Sequence, residues 1–139
     1  VFRKITNDKS FNNFIKYVDL EIAECESLEN LKKYVEIFNA LKKTLIEFTK
    51  WINPNNGTSK NDISASCNDY LRYFGYFSLA FVWLKILRKS FQNIDQNKEF
   101  YEEKINTGDY YFKKIIPRAE SHYRSAINGS VSLMKARFN

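Results

Sequence analysis

Few side chains in this chain could carry acid–base or nucleophilic chemistry. His122 is the single histidine, and an imidazole can exchange a proton near neutral pH. It sits beside Tyr123 in a stretch of helical apolar spacing. There a packing histidine with one hydrogen bond is the common role, and a general base for a small enzyme is the rival one. Cys25 and Cys67 lie far apart and form no CxxC pair. A structural zinc site takes four Cys or His ligands, so no metal site is expected. With no leader-like segment visible, reduced thiols in a cytoplasmic setting are the expectation. Glu21, Glu24, Glu26 and Glu29 crowd near one turn and read as a solvated face, because nothing apolar beside them would shift a pKa. No GxSxG, GxGxxG or Walker pattern occurs, so no phosphate cradle is indicated. On these grounds no catalytic, cofactor-binding or metal-ligating residue is assigned.

Basic side chains suggest a second kind of chemistry, the binding of anions. The 22 basic and 16 acidic residues leave a net charge of +6. Lys32, Lys33, Lys42, Lys43 and Lys50 fall outside the apolar stripe of one helical segment. They alternate with Glu29, Glu36 and Glu47, which weakens any field they project. An anionic partner (nucleic acid, a membrane surface or an acidic protein) is one reading; the better one is codon bias, because Lys, Asn, Ile, Phe and Tyr all have A/T-rich codons. Nucleic acid is not an expected partner.

The elements that hold these residues are helices. Phe11, Ile15, Val18, Ile22 and Cys25 form one stripe. Leu31, Tyr34, Phe38, Leu41, Leu45, Phe48 and Ile52 form a second, and Tyr70, Phe74, Phe77, Phe81 and Leu84 a third. The fourth runs through Tyr101, Ile105, Gly108, Phe112, Ile115, Ala119, His122 and Ala126. Steps of three and four place each set on one helix face, whereas strands alternate by two. The stripes predict helices over about 9–25, 28–52, 63–91 and 97–128. Asp8 or Ser10 is expected to cap the first, Ser27 the second and Asp62 the third. The run Asn53-Pro54-Asn55-Asn56-Gly57 stops the second. Pro117 is expected to kink the fourth and Gly129 to end it.

The 139 residues, with 12 Phe and 9 Tyr, suffice for one core and one domain, 1–139. The fold class expected is all-α, an antiparallel four-helix bundle with a long last helix. The uncharged stretch from Tyr73 to Leu84 is too short for a bilayer, which takes about 20 residues. Apolar nearly all round, the third helix is expected to be central and buried. Gly75 and Gly108 lie mid-helix, where glycine costs about 0.5–1 kcal/mol relative to alanine. Both are expected to mark close helix packing, so that Gly→Leu at either site lowers thermal stability.

The stretch Tyr70-Leu-Arg-Tyr-Phe-Gly-Tyr-Phe-Ser-Leu-Ala-Phe-Val-Trp-Leu-Lys85 resembles the C-terminal helical extension of bacterial acyl-CoA dehydrogenases. Phe100-Tyr-Glu-Glu-Lys104, Tyr111-Phe112, Ile116-Pro117-Arg118, Ala126-Ile-Asn-Gly129 and Leu133-Met134 fit the same pattern. The subgroup it is most similar to includes broad-specificity and methylthiopropanoyl-CoA enzymes. The match covers residues 70–134, and the first two helices agree only in pattern. Val1-Phe-Arg-Lys-Ile5 looks like the segment joining the catalytic region to this extension.

The family removes an α-proton from an acyl thioester with a glutamate and passes a hydride to FAD. Its glutamate lies in a Glu-Gly-Thr type motif upstream of the joining segment. No Glu-Gly pair occurs here, so no family catalytic residue carries over. Gly75, Pro117 and Gly129 map onto family positions of structural meaning. The resemblance implies a non-catalytic terminal domain, with FAD in the full-length parent. Its implied partners are upstream domains or a second subunit, with Tyr110 and Tyr111 as contact points. The start at Val1 and the single Met134 read as a fragment, a processed product or an ordered remainder. The rival is a stand-alone helical module that binds a protein or an anionic surface through its lysines.

Overall fold

A computed structural model of the chain describes residues 8–136. The joining segment Val1–Ile5 and the capping role expected of Asp8 lie outside what is described. The described residues are all-α. They contain α1 (Asp8–Glu26), α2 (Lys32–Trp51), α3 (Lys60–Asn93), α4 (Lys98–Tyr110), α5 (Ala119–Ile127) and α6 (Val131–Lys135). A 3-10 turn, Glu29–Leu31, leads into α2, and another, Pro54–Asn56, follows it.

Two of the expected caps change. Ser27 donates its hydroxyl to the Glu24 carbonyl at 2.9 Å, closing α1 rather than opening α2. Ser59, not Asp62, caps α3: its Oγ accepts the Asp62 amide at 3.1 Å. Asp62 is then the acidic residue of the first turn, where it opposes the helix dipole. Asn97 caps α4 by accepting the Phe100 amide at 3.2 Å. Gly57 and Gly129 take positive φ, +89° and +70°, which glycine adopts without a Cβ penalty.

The last helical stretch does not bend smoothly. Between α4 and α5 the backbone widens into a π segment, Tyr111–Ile115, and then tightens into a 3-10 turn, Ile116–Arg118. Pro117 is the cause, because it has no amide hydrogen and its ring crowds the carbonyl four residues back. The widened turn lets Tyr111 and Phe112 both point inward, and both are buried.

α3 touches every other long helix. Paired residues give the directions. Thr49 meets Tyr70 while Leu41 meets Tyr73, so α2 runs against α3. Ser66 meets Ala126 while Tyr76 meets Tyr111, so the last stretch also runs against it. Phe14 meets Phe74 while Glu21 meets Arg88, so α1 runs with it.

The core is aromatic. Phe38 stacks on Phe77 at 4.9 Å between ring centroids, and both are fully buried. Burying an apolar side chain of this size contributes about 1.5–3 kcal/mol. Tyrosines bury their rings and keep their hydroxyls bonded, as a buried polar tip requires. Tyr73 donates to the Leu41 carbonyl at 3.0 Å, and Tyr70 shares a 2.9 Å bond with Thr49. Burial pushes the Tyr70 phenol up to about 12. No described helix is long and apolar enough to cross a membrane.

Candidate functional site

His122 forms a 2.9 Å bond from Nδ1 to Asp69 Oδ1 and lies over Tyr76, with ring centroids 5.9 Å apart. This is the orientation of a held imidazole. Its described partners are a carboxylate and an aromatic face, which fix the ring in place and supply no nucleophile. The ring lines none of the four clefts described below.

The glutamate cluster needs a correction. Glu21 is not on a solvated face: it is 8% exposed. Arg88 donates to it twice, Nε to Oε1 at 2.6 Å and Nη2 to Oε2 at 3.0 Å. The buried Cys25 lies against the same carboxylate, Sγ to Oε1 3.8 Å. Burial, reinforced by the Glu21 charge, pushes the Cys25 thiol up to about 12, which makes it a poor nucleophile. Glu21 follows Val18 by three residues and precedes Cys25 by four. That position on the first apolar stripe was the signal for its burial.

The two mid-helix glycines part company. A Cβ on Gly108 would sit 2.7 Å from Leu87 Cδ2, so the Leu87 side chain of α3 packs directly onto α4 there. A Cβ on Gly75 would meet nothing within 4 Å, and the residue is exposed. The close packing expected at Gly75 is therefore absent from the described chain. A Cβ on Gly129 would sit 2.8 Å from Asp62 Oδ1. That oxygen accepts the amide and the hydroxyl of Ser130, both at 2.7 Å, tying the end of α5 to the start of α3.

The contact tyrosines also separate. Tyr110 is 57% exposed, but Tyr111 is 8% exposed and donates its hydroxyl to the Tyr76 carbonyl at 3.0 Å. Tyr111 is a core residue, turned inward by the π segment.

Gly75 lies in an exposed apolar face of α3. Leu71, Leu79 and Val82 are 62%, 53% and 49% exposed. With Gly75 and the half-buried Ile86 they follow steps of four, four, three and four, one stripe along the helix. α3 is central as expected, yet it is not enclosed on all sides. Its third-stripe residues face the core, and this second stripe faces outward.

Several clefts lie around the core. One of about 780 Å³ includes Lys33, Tyr34, Asp109 and Lys113. Asp109 accepts from Lys113 at 2.7 Å, Tyr34 at 2.8 Å and Lys33 at 3.1 Å. Lys113 foremost, with Tyr34 and Lys33, holds the Asp109 carboxyl down at about 2. Asp109, Lys33 and Lys113 are thus already paired with one another. A second, of about 540 Å³, is an apolar groove beside Pro117. A third, of about 400 Å³, lies between α3 and α4. The fourth, of about 470 Å³, includes Phe11, Thr49 and Asn56.

No buried side-chain nitrogen or oxygen among the described residues lacks a hydrogen-bond partner. A flavin ring edge needs free donors and acceptors in an apolar slot, and this interior offers no such set. The described residues hold no unpaired buried side-chain nitrogen or oxygen of the kind that would seat a flavin edge. They contain no group of three or more metal-ligating side chains placed to hold an ion.

A family model described as acetyl-CoA dehydrogenase C-terminal like matches residues 11–137. The match takes in α1 and α2 as well as the stretch from residue 70 onward. No curated protein and no solved structure matches the chain.

Proposed function

The chain belongs to the acetyl-CoA dehydrogenase C-terminal-like family, and from that membership we propose that it is the non-catalytic terminal domain of a flavin-dependent acyl-CoA dehydrogenase. The full-length parent would carry out α,β-dehydrogenation of an acyl-CoA thioester, with FAD supplying the hydride acceptor. On this reading the base and the flavin pocket lie upstream. This domain docks on the catalytic region or on a second subunit.

The observation that carries the reading is the outward stripe of α3. Apolar residues at helical spacing usually face a core, yet Leu71, Leu79 and Val82 face solvent. Gly75 sits among them at a position where glycine costs helix stability and where the chain itself fills no space. A glycine with open room above it admits the close approach of another backbone. An apolar stripe with such a gap is the complement of a docked helix or strand. Tyr110, exposed on α4, is a further contact candidate.

The test uses the parent polypeptide. Its native mass should well exceed the 16.5 kDa of this chain, and it should carry flavin absorbance. Leu79→Glu with Val82→Glu should lower the melting temperature of the parent and leave that of this chain unchanged. A native product of about this size without upstream domains would overturn the proposal. So would a parent indifferent to both substitutions.

A further inference from the structure

The cleft between α3 and α4 has a composition unlike the others. Trp83, Phe100 and Tyr101 supply three aromatic rings, and Ile86 adds an aliphatic wall. Lys85, Lys89 and Lys104 are the charged residues of the lining, and no carboxylate faces the space.

Several lysines elsewhere are neutralised by carboxylates. Lys33 and Lys113 share Asp109, Lys42 pairs with Asp19, and Lys32 with Glu29. Among the described residues, Lys85, Lys89 and Lys104 form no ion pair with a carboxylate. Two of them are instead held by aromatic groups. Lys85 donates to the Tyr17 hydroxyl at 2.7 Å and lies 4.8 Å from the Phe81 ring centroid. Lys104 lies 5.2 Å from the Phe100 centroid. Cation–π and hydroxyl contacts position an ammonium group without neutralising it. Lys85 and Lys89 are four residues apart on one helix, where like charges repel. The cleft is thus apolar in its walls, with lysines around it and no carboxylate to balance them.

The geometry points to this cleft as a binding site for a small planar aromatic anion. A volume of about 400 Å³ falls in the range of small-molecule sites, roughly 300–1,000 Å³. The rings on the walls offer apolar contact to a flat body, and Lys89 and Lys104 bind its carboxylate by charge-assisted hydrogen bonds. One face of Trp83 is already stacked on Tyr111, at 6.3 Å, which fixes the indole. The inference does not depend on the family reading, and binding to this chain alone tests it.

Titration calorimetry with 2-naphthoate should show saturable binding at one site per chain. The neutral isostere 2-naphthylmethanol should bind at least about tenfold more weakly, the loss of a charge-assisted hydrogen bond. Lys89→Gln with Lys104→Gln should weaken 2-naphthoate by about the same factor, and raising the salt should weaken it further. Phe100→Ala, at a residue 49% exposed, should weaken both ligands and leave the fold intact. Lys113→Gln, in another cleft, should change nothing. Equal affinity for the acid and the alcohol would overturn the site, as would equal weakening by Lys113→Gln. Co-sedimentation with phosphatidylglycerol vesicles without 2-naphthoate binding would overturn it in favour of a lipid surface.

Discussion

Arg88 on α3 grips Glu21 on α1 through two hydrogen bonds, 2.6 and 3.0 Å, with side chains 13% and 9% exposed. The pair fixes where α1 lies along α3. Removing one partner leaves the other charge buried and unpaired, which costs about 3–5 kcal/mol. Glu21→Gln and Arg88→Met should each destabilise the chain by an amount in that range in urea unfolding. The double variant Glu21→Leu with Arg88→Met should recover much of the loss, because an apolar pair of similar volume has no such desolvation cost. Single variants that cost less than about 1 kcal/mol, the value of a surface pair, would contradict a buried bridge.

Gly108→Ala should destabilise, because its Cβ would sit 2.7 Å from Leu87 Cδ2 and Leu87 is itself fully buried. Overpacking of this kind costs about 1–3 kcal/mol. Gly75→Ala should instead stabilise this chain by about 0.5–1 kcal/mol, the ordinary gain of alanine over glycine in an exposed helix. Thermal melts of the two variants moving in the same direction would count against the assignment of the two faces of α3.

Acid should loosen the contact between α2 and α4. The Asp109 carboxyl is held from its ordinary 3.8 down to about 2 by Lys113, Tyr34 and Lys33. A depressed folded-state pKa contributes stability that is present above the unfolded value and lost as pH falls through the folded one. The melting temperature should therefore fall between about pH 4 and pH 2. In Asp109→Asn that part of the profile should flatten. A variant with the parent's profile over this window would show that Asp109 is not the titrating group.

The two thiols should react at very different rates. Cys25 is buried, with its thiol raised to about 12, so little thiolate forms at pH 8. Cys67 is only partly buried and donates to the Ile63 carbonyl at 3.2 Å. Under native conditions iodoacetamide should modify Cys67 first, and peptide mapping should find Cys25 unmodified until the chain unfolds. Early modification of Cys25 would mean that the Glu21–Arg88 seam opens readily.

Much of the fold was legible from residue spacing, because a helix repeats every 3.6 residues and its buried face must be apolar. The predicted span 9–25 became Asp8–Glu26, and 63–91 became Lys60–Asn93. Pro117 marked the break in the last helix, since a missing amide hydrogen is a local property. The site was less legible. The apolar steps through Leu71, Gly75, Leu79 and Val82 were present, but a spacing does not say which of two stripes meets the core. The cleft of Trp83, Phe100 and Tyr101 was not legible, because it depends on which side chains face each other across the helix pair.

The sequence by itself determined an all-α chain, its turns and the family match that runs through 11–137. These follow from local propensity, periodic burial and residue identity. Tertiary structure alone decided that Gly108 is pressed against Leu87 while Gly75 stands open, that Tyr111 turns inward, and that Glu21 is buried against Arg88. Each depends on the partner brought up from far along the chain, and the periodicity within one helix carries no record of that partner.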